Sequence, residues 1–204
     1  MSNPAVTNDR LAVKQKVWNV PNQLTAARVV LSVICFGFLA FDAFRPALFL
    51  FAIAAGTDWF DGYWARKYGQ ITQLGRVLDP FADKVIICGT YVFLAAEVGS
   101  EILPWMAVVV IARELLVTAL RSFFEERQID FSAKWAGKWK MVFQCLAAVL
   151  SLYKLGWYGD ATAVPDWLQY SLIASVWVAI ATTIYSGWEY VRLALSMMRN
   201  TRDA

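Results

Sequence analysis

The chain has 204 residues, of which 59% are hydrophobic, 15% aromatic and only 17% charged. A soluble domain carries about 25% charged and roughly 45–50% apolar residues, so this apolar excess, with 10 Trp and a mean hydropathy of +0.46, points to a bilayer. The sequence contains no His, which excludes Ser-His-Asp triads, phosphohistidine intermediates and His-ligated zinc or haem, and a net charge of +3 without a long basic run gives no argument for nucleic acid.

At ~20 residues per span the length holds five to seven helices and no separate soluble catalytic domain. The first residues, Met1 to Lys16, are polar and mixed, unlike a cleaved signal, and Asp9 to Trp18 reads as a short surface helix with Arg10, Lys14 and Lys16 near anionic headgroups. Apolar spans follow at about Thr25–Phe41, Pro46–Trp64, Leu78–Glu97, Ile102–Phe124, Gly137–Leu155 and Trp167–Trp188, with a polar loop from Arg66 to Gln73. The expected fold is thus an all-α integral membrane protein of six transmembrane helices. It divides into a juxtamembrane segment (1–20), a six-helix domain (21–192) and a tail (193–204). Cys35, Cys88 and Cys145 sit inside apolar runs without CxxC spacing and read as small buried hydrophobes. Trp18, Trp105, Trp157, Trp167 and Trp188, near span ends, read as interface anchors.

Orientation follows from Lys and Arg. With the N-terminus inside, the inner connections and span ends collect fourteen of them, against Arg45 and Lys154 outside. This bias predicts both termini in the cytoplasm. The ionisable groups left within the spans, Arg28, Asp58, Asp61, Asp79, Asp83, Lys84, Arg113 and Glu114, all fall at the cytoplasmic depth. Such groups cost several kcal/mol and mark function. A transported ion would need some of them across the midplane, so a divalent-cation transporter is the weaker reading and a site at the cytoplasmic interface the stronger.

The informative run is Asp58-Trp-Phe-Asp61-Gly62-Tyr-Trp-Ala65-Arg66, followed by Gly75, Asp79 and Asp83. On a helix, positions 58, 61, 62 and 65 share one face, as do 75, 79 and 83 on the next. In a hairpin the four carboxylates converge. Their mutual repulsion at a membrane edge opposes ionisation unless divalent cations neutralise them, and an all-oxygen donor set favours Mg²⁺, Mn²⁺ or Ca²⁺ over zinc. Salt bridges to Arg66, Arg76, Lys84 or Arg113 are the purely structural alternative. Carboxylate clusters holding two metals suit phosphoryl transfer.

These positions, DxxDGxxAR followed after eight residues by GxxxDxxxD, resemble the signature of the CDP-alcohol phosphotransferases, with all eight fixed positions matched. Asn22, Thr25 and Arg28 look like the family's NxxTxxR element. Arg113, Glu114, Arg121 and Gly137-Lys138-Trp139-Lys140 look like its bacterial phosphatidylglycerophosphate synthase branch. The resemblance covers residues 20–145 and implies a six-helix domain in the bacterial cytoplasmic membrane, facing the cytoplasm, usually homodimeric and dependent on Mg²⁺ or Mn²⁺, two ions per site. It implies transfer of a phosphatidyl or related group from a CDP-linked donor to a hydroxyl, releasing CMP. Asp58, Asp61 and Asp79 would be metal ligands, and Asp83 a metal neighbour and the general base. Gly62, Ala65, Arg66 and Gly75 would bind the CDP-diacylglycerol headgroup, closed over by Asn22 and Thr25.

The acceptor rests on a second basic group, Arg113, Arg121, Lys138 and Lys140, near the inner face. Arg113 and Arg121 are about 80° apart around a helix, so both can reach one cleft. A cationic cluster beside the metals suits an acceptor that already carries a phosphate. Glycerol 3-phosphate fits, and so does inositol phosphate; serine uses the cluster less well. Cardiolipin synthase of the same fold is a further alternative.

Overall fold

The computed structural model describes residues 20–68, 73–125, 135–159 and 164–200, with side chains for all of these except 20–22, 24, 57–80, 125, 135–136 and 200. Six helices account for nearly all of it: α1 (Val20–Ala40), α2 (Phe44–Tyr68), α3 (Gln73–Ala96), α4 (Pro104–Glu125), α5 (Trp135–Trp157) and α6 (Asp166–Asn200). No strand occurs among the described residues.

Each helix corresponds to one apolar run in the sequence, and the differences lie at the ends. The expected loop from Arg66 is helical through Tyr68, because Ala65, Arg66 and Lys67 are good helix formers with no breaker after Gly62. α6 continues beyond Trp188 to Asn200, so much of the expected tail is helix. It is held there by Tyr190 and Ala194, which are buried against Val117 and Phe124 of α4. The surface helix expected over Asp9–Trp18 lies outside the described residues.

α3 packs on α1, α2, α4 and α5, while α5 also packs on α2 and α6, and α4 on α6. The main core joins Cys35, Leu39, Phe51, Ile86, Tyr91, Met106, Val110, Leu152, Leu172 and Val176. Cys35 is fully buried, Cys88 and Cys145 are half-buried, and all three are free thiols. Around this core every helix turns large apolar side chains outward, among them Val33, Phe49, Val92, Val108, Val142 and Ile184, each at least half exposed. A soluble monomer rarely exposes so much contiguous apolar surface. α6 alone among the described helices is long and apolar enough to cross a bilayer, with mean hydropathy 1.4 over the most apolar 18-residue stretch of Asp166–Arg199. An all-helical bundle with this outward apolar surface is consistent with a membrane protein. Trp105, Trp157 and Trp167 are exposed near helix ends, whereas Trp188, also exposed, lies within α6, which continues past it to Asn200.

One end of the bundle is closed by short connections. Ala43 N–H donates to Phe38 O at 2.9 Å, turning the chain from α1 into α2, with Asp42 in the left-handed region (φ 56) that Asp tolerates. The 97–103 connection also carries a positive φ at Gly99 and Glu101 and is tied to two helices. Ser151 of α5 donates to Ser100 O at 2.8 Å, and Lys154 Nζ and Gln169 Nε2 donate to Glu101 Oε1 at 3.0 and 2.7 Å. α1 and α3 approach closely at Gly89, where a Cβ would overlap the Phe36 ring, itself stacked on Phe93 at 5.7 Å.

Two outcomes follow. Gly89→Ala should destabilise the detergent-solubilised protein by about 1–3 kcal/mol, the usual cost of overpacking. Adding Phe36→Leu should recover much of this in thermal unfolding, and no recovery would show that the ring is not what Gly89 accommodates. Burial alone would raise the Glu101 carboxyl, but the hydrogen bonds from Gln169 and Lys154 and the Lys154 charge outweigh it and hold it below the usual Glu value. A group depressed in the folded state contributes stability above its unfolded pKa and loses it as pH falls through the folded one. Wild-type Tm should therefore fall below pH about 4.5 more steeply than that of Glu101→Gln, and parallel curves would disprove the tie.

Candidate functional site

At the other end of the bundle, polar side chains from four helices meet. The continuous α2 helix puts Asp58, Asp61, Gly62 and Ala65 on one face, and α3 stacks Gly75, Asp79 and Asp83. The two helices touch each other and are joined through residues 69–72. For this set only the backbone register is described, apart from Asp83, whose side chain is half-buried. On α1, Thr25 and Arg28, one turn apart, are both buried, at 1% and 2% exposure. The side chain of Asn22 lies outside the described set.

The basic group divides in two. Arg113 and Lys140 are buried and converge on Glu114. Arg113 Nη1 donates to Glu114 Oε1 at 3.0 Å, and Lys140 Nζ pairs with the same oxygen. Arg113 is fixed on its other side by α6: Nε donates to Ser186 Oγ at 3.1 Å and the guanidinium lies 5.5 Å from the Tyr190 ring centroid. Gly187 gives it room, and Gly137 lies against it. A Cβ at Gly187 would stand 3.3 Å from Arg113 Cγ, and one at Gly137 would stand 3.8 Å from Nη2. Arg121 is half-buried and Lys138 exposed, two turns on from Arg113 in α4 and half a turn before Lys140 in α5.

Lys84 donates to Thr118 Oγ1, and Thr118 Oγ1 in turn donates to Glu114 O at 2.6 Å. This ties α3 to α4 at the same level. Lys84 feels the charges of Glu114, Arg121, Asp83 and Arg113, and Lys140 those of Glu114, Arg113 and Asp83. The expected base and the expected phosphate-binding cations therefore share one electrostatic field. Between them lies a cavity of about 10 Å³, lined by Asp83, Lys84, Glu114, Lys140 and Gln144 among others.

Gln144, Ser186 and Tyr190 were not singled out from the sequence. Gln144 is a single polar residue in an apolar run, and Ser186 and Tyr190 belong to no recognised motif, so only a partner on another helix distinguishes each of them. Glu114 was expected to balance Arg113; its second partner, Lys140, emerges only in the structure.

Residues 18–185 match the CDP-alcohol phosphatidyltransferase family. The chain is 34% identical over 186 residues to the CDP-diacylglycerol–glycerol-3-phosphate 3-phosphatidyltransferase of Escherichia coli (strain K12), covering 87% of this chain and 95% of that one. It is 35% identical over 185 residues to the protein of the same name from Salmonella choleraesuis (strain SC-B67), with the same coverage. On the extent of these matches, the chain belongs to the CDP-alcohol phosphatidyltransferase family.

Proposed function

We propose that the protein transfers the phosphatidyl group of CDP-diacylglycerol to the primary hydroxyl of glycerol 3-phosphate, giving phosphatidylglycerol phosphate and CMP. Similarity to the two named transferases supports this reading. The structural observation that carries it is the buried Arg113–Glu114–Lys140 cluster, at the level of Asp83 and within its electrostatic reach. Cations held there suit an acceptor that already carries a phosphate better than one that does not.

The donor set fits divalent ions in its chemistry: four carboxylates, two on each of two touching helices, spaced to share faces. Asp58, Asp61 and Asp79 would hold Mg²⁺ or Mn²⁺, two ions in all, with Asp83 beside them. Bound there, the ions would neutralise the diphosphate oxygens of the donor. Arg66 would grip a donor phosphate by its fork, and Gly62, Ala65 and Gly75 would leave space for the flat cytosine, closed over by Asn22 and Thr25.

Asp83 would take the proton of the acceptor's primary hydroxyl as its oxygen attacks the β-phosphorus. The bond from that phosphorus to the CMP oxygen breaks and CMP leaves. Glu114 sets the charge of the acceptor pocket. It offsets one of the two cations Arg113 and Lys140, so the buried trio carries a net single positive charge, less than a phosphate dianion needs. Arg121 and Lys138, nearer the end of the bundle, would provide the remainder. This division keeps the pocket from holding two uncompensated buried cations before the acceptor arrives.

The positive-inside bias and the outward apolar surface of all six helices support six spans with both termini cytoplasmic. The site would then face the cytoplasm at the bacterial inner membrane. A homodimer is the expected assembly.

The test is CMP release by purified protein in detergent. Release should require CDP-diacylglycerol, glycerol 3-phosphate and a divalent ion together. Release with inositol phosphate or serine alone would replace the acceptor assignment. Asp83→Asn should lower kcat by at least about a hundredfold, the usual contribution of a general base, while donor binding survives; near-normal turnover would remove Asp83 from that role. Arg113→Ala should raise the glycerol 3-phosphate KM about tenfold or more, as expected for a lost charge-assisted hydrogen bond. An unchanged KM would mean that Arg113 serves only to hold Glu114.

A further inference from the structure

The amide of Gln144 is held in one orientation by the groups behind it. Gln144 is fully buried on α5, one turn deeper in the bundle than Lys140. Thr183 of α6 donates its single hydroxyl hydrogen to Ala179 O at 2.6 Å, so towards Gln144 it can only accept. It accepts from Nε2, at 2.9 Å. This settles which end of the amide is nitrogen, an assignment that the shape of the side chain alone leaves open. The backbone at this position is held as well, since Tyr91 Oη donates to Gln144 O at 3.3 Å.

Oε1 is therefore directed away from Thr183, and it meets no hydrogen-bond donor among the described residues. Gln144 lines the 10 Å³ cavity shared with Asp83, Lys84, Glu114 and Lys140, and such a space takes about one oxygen-sized group. A buried acceptor without a donor costs free energy comparable to a lost hydrogen bond. The position thus calls for a small group that donates, beside the proposed base and the phosphate-binding cations.

Resting on the reading of the chain as a glycerol 3-phosphate transferase, we propose that Gln144 Oε1 accepts a hydrogen bond from the acceptor's secondary hydroxyl, the one that does not react, and so selects the acceptor. Glycerol 3-phosphate carries three groups on adjacent carbons. The phosphate goes to the basic residues, the primary hydroxyl to Asp83 and the secondary hydroxyl to Gln144. Each end of the acceptor is matched by one chemistry, and Gln144 reads the middle.

The experiment compares kcat/KM of the full-length enzyme for glycerol 3-phosphate and for 3-hydroxypropyl phosphate, which keeps the phosphate and the primary hydroxyl but lacks the secondary one. Wild type should prefer glycerol 3-phosphate by roughly tenfold or more, because the analogue leaves a buried acceptor unmatched. Gln144→Met keeps the side-chain length and removes the acceptor atom, and should shrink that ratio to within about threefold by lowering kcat/KM for glycerol 3-phosphate. Thr183→Val retains Gln144 but frees its amide to rotate, and should shrink the ratio in the same direction; it gives the answer if the Met variant does not fold. A wild-type ratio near one, or an unchanged ratio in a folded variant, overturns the proposal and leaves Gln144 a structural residue whose oxygen meets water. Wild-type protein that releases no CMP with glycerol 3-phosphate overturns the transferase reading itself and this proposal with it, a result distinct from an active enzyme with an unchanged ratio.

Discussion

A single buried carboxylate, Glu114, organises one end of this molecule. Its Oε1 receives both Arg113 from its own helix and Lys140 from α5, while its backbone carbonyl receives Thr118, itself bonded to Lys84 of α3. Arg113 reaches on to Ser186 and Tyr190 of α6. Four helices are thereby set at one level by charged and polar contacts around one residue. Removing one partner of such a buried group costs several kcal/mol because the remaining charge is stranded.

The opposite end has a lighter counterpart. Glu101 lies in a connection rather than a helix, and it draws Lys154 and Gln169 together, with Ser151 bonded to the same connection. Between the two ends the core is mostly apolar, with Ser32, Thr90, Gln144, Ser175 and Thr183 buried in it. Lipid tails are as apolar as leucine, so burial gives helices little reason to associate within a bilayer; close packing and polar ties have to do so. Packing is tight where Gly89 admits the Phe36 ring and where Gly187 leaves room for Arg113. Polar ties at both ends and close contact between them form a consistent scheme for a membrane bundle.

The same arrangement shapes the proposed chemistry. Charges that a phosphate acceptor needs are costly to bury before it arrives, and Glu114 reduces that cost by offsetting one of two cations. Arg121 and Lys138 lie nearer the end of the bundle and can add their charge with less desolvation. Polarity then continues inward from Lys140 to Gln144 and Thr183, one helical turn deeper, where Gln144 lines the cavity.

The order of six helices was legible in the sequence because apolar runs of about twenty residues, broken by Pro21, Pro46, Pro104 and Pro165 and by charged connections, leave few alternatives. The carboxylate register was legible too, since spacing within one helix decides which residues share a face, and the matched family signature falls on those positions. The end of α2 and the length of α6 were not. Helix propensity carries Ala65–Lys67 past a polar stretch that resembles a loop, and Tyr190 holds the end of α6 through contacts with α4 that local composition does not contain. The sequence by itself determined the class of protein and the residue types that can perform the chemistry, because hydropathy and helical spacing are local properties. Tertiary structure alone decided that Glu114 serves two cations, that Ser186 and Tyr190 support Arg113, and that Gln144 turns its oxygen away from Thr183. Apart from the adjacent Arg113–Glu114 pair, those pairings join residues 26 to 77 positions apart, and only the packing of helices against one another brings such residues into contact.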